Sequence, residues 1–341
     1  MTHDDLDGEG AAAAYLRILS VDPSQARIEF AEPYDVDRAL ERVAQLAAPG
    51  DVVAIMDIGY NDGATPRALR VIVDLVRRGV AVEWYDHHVW AEEELEAVRA
   101  AGARIFVDRS TCGAGVVVHY ASKLRGLEPD EYLLRLERAV CAADLWRWDD
   151  PLAPKLMRAS NSGEDERASR WRRAVIESFY RGELWNAQME ARLASYLEAE
   201  LAGSSRELRS SYRASSGGCS VVAVVRSLEL PSDSILASMA ISRTESKVAA
   251  IVKRRGLGRV SLSLRSRGQA DVQVVAKALG GGGHPRASGA SMRVPALVYL
   301  LSYLYPRLLA RYVASKLAAL GDSLGACEAE AGEADKSEGL M

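Results

Sequence analysis

The hydrophobic pattern divides the chain into three stretches of different character. From residue 11 to about 150, short apolar runs alternate with segments of helical period. DVVAIMD (51–57), VAVEWYDHH (80–88) and ARIFVD (103–108) read as strands, the first two ending on polar residues. RALRVIVDLVRRG (67–79) spaces its apolar residues for one helix face, carries arginines in its last turn and closes on a glycine. GAGVVVHYASKL (113–124) predicts the next helix. Strands and helices alternating at this spacing predict a parallel sheet with helices on both faces.

From about 151 to 215 the strand signal vanishes. A polar patch, SNSGEDERAS (160–169), precedes a Glu/Arg/Ala/Leu-rich helix over roughly 183–209, and SSGG (215–218) closes the stretch with turn chemistry. A second α/β unit follows. CSVVAVVRS (219–227), KVAAIVKRRG (247–256) and RVSLSLRS (259–266) read as strands, with Lys253, Arg254 and Arg255 as a solvated basic turn. DVQVVAKALG (271–280) reads as a helix and GGGHPRASGA (281–290) as a glycine-rich loop. PALVYLLSYLY (295–305) is too short to span a bilayer and predicts a helix packed on a sheet, with Pro295 in its first turn. From Glu328 onward five acids, one lysine and no aromatic residue predict disorder.

Composition narrows the picture. At 341 residues, 48% hydrophobic and 26% charged, the chain is an ordinary globular sequence with room for two cores. A net charge of -4 gives no general attraction to nucleic acid, so phosphate binding requires a local basic patch or metal ions. Cys112, Cys141, Cys219 and Cys327 show no CxxC spacing, which predicts reduced, separately packed thiols and no thiolate zinc site. The acidic N-terminus lacks the apolar core of a secretion signal, so a cytoplasmic protein is expected.

The candidate chemistry lies in the histidines and acids. Of the five histidines, His3, His87, His88 and His284 adjoin acids or glycines, whereas His119 lies inside apolar GVVVHYA and reads as a packed structural residue. In MTHDDLDGEG, His3, Asp5 and Asp7 alternate, which in an extended segment would turn them to one side. Asp57 and the triplet Asp86, His87, His88 end predicted strands, where open parallel sheets bind ligands. Asp144 follows the helical run RLERAVCAA. Singly, each acid is explained as a cap or turn residue. As a set, they are the carboxylate and imidazole donors that hard divalent cations favour.

HDDLDG, the acid of DIG (57–59), DHH (86–88), the acid of AAD (142–144) and GGGGHPRASG (280–289) occur in the order seen in the DHH–DHHA1 phosphoesterase superfamily. The chain resembles its RecJ-like nucleases and nanoRNases over about residues 1–150 and 216–320. The resemblance implies an α/β protein: a DHH catalytic metal-binding domain at 1–150 with a parallel sheet and helices on both faces, a helical connector at 151–215, a smaller α/β DHHA1 substrate-binding domain at 216–320, and a disordered acidic tail at 321–341. It implies two Mn²⁺ ions, with Mg²⁺ as substitute. His3, Asp5 and Asp57 would hold the first, and Asp7, Asp57, His87 and Asp144 the second, with Asp57 bridging. Two cations about 3.5–4 Å apart need such shared anions. Asp86 would orient an imidazole from behind. His88 would face a substrate phosphate oxygen, completing a catalytic set of Asp57, Asp86, His87 and His88.

In the second domain, Gly281, Gly282 and Gly283 would let backbone N–H groups approach an anion. His284 would contact phosphate, and Arg265, beside Ser266, would clamp a terminal phosphate. The implied function is Mn-dependent hydrolysis of short single-stranded RNA or DNA, exonuclease- or nanoRNase-like, by two-metal activation of the water that attacks phosphorus. Hydrolysis of pAp or of a cyclic dinucleotide is the alternative within the same chemistry. A replication scaffold is the alternative outside it, disfavoured because every ligand position is filled. Inorganic pyrophosphatase activity is disfavoured by GGGH and LRS. No membrane partner is expected, and an oligomer is compatible with the sequence. One departure stands out: the family places its first histidine at the end of a strand, whereas only Met1 and Thr2 precede His3 here. That predicts either a missing strand or a metal loop held by later contacts alone.

Overall fold

A computed structural model of the chain describes residues 1–160, 166–256 and 258–327. It divides into two compact units, 1–196 and 197–341.

The N-terminal unit runs α1 (Leu6–Leu19), α2 (Val36–Ala44), β1 (Val52–Met56), α3 (Thr65–Arg77), β2 (Ala81–Asp86), α4 (Glu92–Ala100), β3 (Arg104–Val107), α5 (Gly113–Val116), a π turn (Val117–Ala121), α6 (Ser122–Leu124), α7 (Glu131–Asp144), α8 (Ala153–Ser160) and α9 (Glu166–Tyr180). Helix α10 (Ala187–Glu207) carries the chain into the second unit. The strands form a parallel sheet in the order β1-β2-β3. Side chains alternate along each strand, and the alternation feeds two cores. Val53, Ile55, Val82 and Trp84 face α2, α3 and α4, while Ala54, Met56 and Tyr85 face α1, α5 and α7. The parallel sheet with helices on both faces is therefore as the sequence pattern predicts. Thr2 adds a bridge on the free side of β1, pairing in parallel with both Met56 and Phe30. The loop carrying His3 is thus held by contacts made later in the chain.

The C-terminal unit contains β4 (Tyr212–Ser216), β5 (Cys219–Val225), α11 (Asp233–Thr244), β6 (Val248–Gly256), β7 (Arg259–Ser266), α12 (Val272–Ala278), β8 (Gly282–His284), β9 (Ala287–Arg293), α13 (Ala296–Leu301) and α14 (Pro306–Ser323). Its six-stranded sheet has the order β4-β5-β6-β7-β9-β8; β5 and β6 are parallel and the other pairs antiparallel. Val221, Ala250, Val260, Leu262 and Leu264 pack with α12 and α14 on one face, and Val222, Val224, Ala249 and Ile251 pack with α11 on the other.

Several expectations need correction. β4 lies where the sequence predicts the end of the helical connector and a turn, and β8 and the start of β9 where it predicts a glycine-rich loop, because YRASS, GGH and ASGASMR are made of small and polar residues with too little apolar alternation to mark strands. Backbone pairing alone makes them strands. In PALVYLLSYLY the helix stops at Leu301, and only Tyr299, with Val298 beside it, packs into the core under the sheet; Leu297, Leu300 and Leu304 are 69%, 66% and 75% exposed, so most of the apolar face expected to pack does not. Pro306 disfavours helical backbone at Tyr305, so α13 and α14 do not run on as one helix. The cysteines are not separate thiols: Cys112 bonds Cys141, and Cys219 bonds Cys327. These partners are 29 and 108 positions apart, and only the packing of α5 on α7 and of α14 on β5 brings them together. His119 is half exposed and pairs with Glu137 at 2.9 Å. Residues 321–327, placed in the tail, complete α14 and its following turn. The acidic stretch from Glu328 and half of the polar patch, 161–165, lie outside the described residues.

Candidate metal centre and phosphate site

The N-terminal donors gather where α1, β1, β2 and α7 begin or end. His3, Asp5 and Asp7 do not share an extended run as the alternation suggested. Asp5 is the N-cap of α1, accepting from the Gly8 N–H at 3.0 Å, and Asp7 lies in the first turn. The chain folds back so tightly here that a Cβ on Gly8 would lie 2.3 Å from the His3 carbonyl oxygen. Asp7 is fixed by two backbone N–H groups at the start of α5, Gly113 at 2.6 Å and Ala114 at 2.8 Å. Asp57 follows β1 in the left-handed region, with φ +56°, a conformation uncommon outside glycine. His87 and His88 follow β2, and Asp144 ends α7.

Asp57 faces two ways. Its Oδ2 lies 3.8 Å from His3 Nδ1, which is itself 3.0 Å from Asp5 Oδ2. Its Oδ1 lies 3.4 Å from His87 Nε2, which sits 3.7 Å from Asp7 Oδ2 and 3.8 Å from Asp144 Oδ2. His3, Asp5 and Asp57 thus offer one group of ligand atoms within 4.8 Å of one another; Asp7, His87 and Asp144 offer a second.

Electrostatics sharpens the point. Burial, then the nearby Asp7 and Asp5 carboxylates, push the Asp57 carboxyl well above the usual range. Asp7 is raised by burial, although His87 and the backbone N–H groups oppose the shift. Asp144 is pushed up to about 7 by desolvation and by Asp7. Burial lowers His87, but the Asp7, Asp144 and Asp86 charges outweigh it and the net shift is upward. Four carboxylates held this close are costly unless positive charge sits among them. An all-oxygen and imidazole donor set fits hard or borderline divalent cations.

Behind the donors, Asp86 is fully buried and holds His88. It lies 2.8 Å from His88 Nδ1 and accepts from the Trp90 indole N–H at 2.6 Å. Burial raises Asp86, but these hydrogen bonds outweigh it and keep the carboxyl below its ordinary value. A Cβ on Gly59 would come within 3.0 Å of the His88 ring, so the glycine of DIG makes room for it.

In the C-terminal unit, Arg265 lies near the end of β7. Its guanidinium donates to the hydroxyls of Ser234 and Ser263 and to the Leu264 carbonyl, at 2.9–3.2 Å. Burial lowers its pKa, and no carboxylate is paired with it among the described residues. Ser266 donates to the Pro285 carbonyl at 3.3 Å. The glycine run is an edge strand as well as a loop, since Gly282, Gly283 and His284 pair with Gly289, Ser288 and Ala287. A Cβ would fall 2.1 Å from the Gly289 oxygen at Gly281 and 2.6 Å from the Ala287 oxygen at Gly283, whereas Gly282 meets nothing within 4 Å. Two of these glycines are therefore required by the hairpin itself. His284 is exposed at its edge.

The DHHA1 domain family matches residues 210–303, from β4 into α13, including Arg265, the glycine run and His284. Solved structures resemble the whole chain. The pGpG-specific phosphodiesterase PggH from Vibrio cholerae is 15% identical, with a TM-score of 0.54, covering 91% of this chain and 98% of its own. The DHH domain of a member of the s1p family of ribosomal proteins is 17% identical, with a TM-score of 0.55, covering 92% and 85%. Residues 210–303 therefore carry a DHHA1 domain, and the chain shares the fold of these structures. An exopolyphosphatase-related protein from Bacteroides fragilis shares the fold at 14% identity and a TM-score of 0.50, covering 90% and 89%. No curated protein matches the sequence significantly.

Residues that carry no motif lie beside the candidate metal ligands. Glu32 Oε2 lies 3.4 Å from His3 Nε2, and Asp4 pairs with Arg172 at 2.8 Å. Glu32 sits before a 3₁₀ turn opening on Pro33, where it reads as an ordinary turn acid. Gly113 is equally silent in sequence, yet a Cβ there would lie 2.7 Å from Asp57 Cβ. Among the described residues, no helix is long and apolar enough to cross a membrane.

Proposed function

We propose that the protein is a divalent-metal-dependent phosphodiesterase that hydrolyses short single-stranded oligonucleotides. The observation that carries this reading is the placing of the two Asp57 oxygens toward two separate donor groups. His3, Asp5 and Asp57 would hold one Mn²⁺ or Mg²⁺, and Asp7, Asp57, His87 and Asp144 the other. Such a pair supplies Lewis acidity at phosphorus and acidifies the attacking water.

The protein's own groups do the rest. Asp57 shares its charge between the two donor groups, and the Gly113 and Ala114 N–H groups keep Asp7 from rotating away. Asp86 aims the His88 ring, which would contact a non-bridging phosphate oxygen. Arg265 would grip a second phosphate: its hydrogen bonds go to neutral oxygens, so its full charge is available to an anion. His284 and the N–H groups of the glycine edge would share that role.

The test is a rate comparison. The protein is incubated with Mn²⁺ and end-labelled RNAs and DNAs of two to 24 nucleotides, pGpG, pAp and cyclic di-AMP. The expected ranking puts oligonucleotides of two to a few residues first. A faster rate on pAp or cyclic di-AMP would replace this reading with the corresponding alternative, and no hydrolysis of any substrate would remove it.

A further inference from the structure

β7 lays Arg259, Ser261, Ser263 and Arg265 on one face of the C-terminal sheet, while Val260, Leu262 and Leu264 enter the core on the other. β9 adds Ala287, Gly289, Ser291 and Arg293 beside them in register, from Arg265 opposite Ala287 to Arg259 opposite Arg293. Gly289, Ser291 and Arg293 are exposed. These eight positions form a strip of small and polar residues with no acid on it, running from the Arg265 site to a second basic cluster. Arg255 joins that cluster, donating to Ser261 Oγ at 3.0 Å. Arg255, Arg259 and Arg293, with Gly256 and Gly258, line an open cavity of about 640 Å³.

Among the described residues, no carboxylate compensates the charge at this end. Arg259 and Arg293 are direct cross-strand partners, an arrangement that costs stability when like charges meet. Neither forms a salt bridge among the described residues. Asp233, at the start of α11, is taken by Arg226 and by Lys253. Three guanidinium groups crowded without a carboxylate call for an external anion. Six residue steps along β7 separate Arg259 from Arg265, about 20 Å at a strand's rise, the length of a few nucleotides.

We propose that the strip is a track for single-stranded nucleic acid, with Arg255, Arg259 and Arg293 holding backbone phosphates remote from the one gripped at Arg265. This rests on the oligonucleotide reading above. The Ser and Gly floor, continuous with Arg265, favours a nucleic-acid backbone over a lipid surface.

Full-length protein in EDTA is titrated against fluorescein-labelled oligonucleotides of two and six residues, followed by anisotropy. In the double variant Arg259→Ala, Arg293→Ala, the Kd for the six-residue strand rises about tenfold. The slope of log affinity against log salt falls by about 1.4, as expected for two lost phosphate contacts on a single strand. Binding and hydrolysis of the two-residue strand stay as in the parent, and Arg259→Lys, Arg293→Lys restores most of the affinity. Equal losses on both lengths, or none, would overturn the proposal. So would parent binding to phosphatidylglycerol vesicles in preference to the six-residue strand, lost in the double variant. If no substrate is hydrolysed yet length-dependent binding persists, the enzymatic reading fails and the track remains.

Discussion

Asp57 combines three features seldom found in one side chain: deep burial, a left-handed backbone and two carboxylate oxygens aimed at different imidazoles. A backbone in this region is held only where its surroundings over-determine it, and such strain concentrates at functional sites. Asp57→Ala is expected to reduce Mn²⁺-dependent hydrolysis by well over the 10–100-fold that is typical when an outer-shell partner of a metal ligand is lost. Substantial remaining turnover in a steady-state assay would refute the bridging role. Gly113 tests the same site from the opposite side. Gly113→Ala forces a methyl group to within 2.7 Å of Asp57 Cβ. The expected cost is about 1–3 kcal/mol of overpacking, accompanied by weaker Mn²⁺ binding in calorimetry. Unchanged affinity would show that Asp57 can shift without consequence.

At the scale of elements, β2 carries a second buried acid whose role is structural. Glu83 lies under α1, accepting from Tyr15 at 2.8 Å and Tyr85 at 2.6 Å, and pairs with Arg104 and Arg125. Burial raises its pKa, but the hydrogen bonds from Tyr85, Tyr15 and Arg125 outweigh it and the net shift is downward. A carboxyl that is harder to protonate when folded stabilises the fold above its unfolded pKa, about 4.3 for Glu. That contribution is lost as pH falls through the lower folded-state value. Glu83→Gln should therefore cost about 1–3 kcal/mol at pH 7, the scale of hydrogen bonds to a charged group. The gap between parent and variant should close below pH 4 in urea unfolding curves. A gap that is constant with pH would mean that the carboxylate charge is not what matters.

For the whole molecule, the concentration of acids at the candidate metal centre is expected to couple stability to cations. Raised carboxyl pKa values at Asp7, Asp57 and Asp144 mean that the folded state concentrates negative charge which the unfolded chain disperses. A ligand that binds only the folded state stabilises it by about 2.7 kcal/mol at a hundred times its Kd. Thermal melts should therefore show Tm rising by several degrees with Mn²⁺ and falling back in EDTA. Asp57→Ala should abolish most of that response. A Tm indifferent to Mn²⁺ would argue against a cation site of useful affinity.

Much of this architecture was legible along the chain, because it rests on local physics. Apolar runs marked β1, β2, β3, β5 and β6, apolar–polar alternation marked β7, and acids or histidines ending two of the runs marked the donor loops. Strands β4, β8 and β9 are not legible this way, because they consist of small and polar residues that become strands only when a neighbour offers backbone hydrogen bonds. Proximity in space was equally invisible. Nothing in the spacing of Cys112 and Cys141, of Glu32 and His3, or of Gly113 and Asp57 shows that they touch; each contact needs two elements to have packed first. The amino-acid order determined which groups could bind metal or phosphate, since donor chemistry belongs to the residue. Tertiary packing decided which of them meet and which oxygen of Asp57 faces which imidazole.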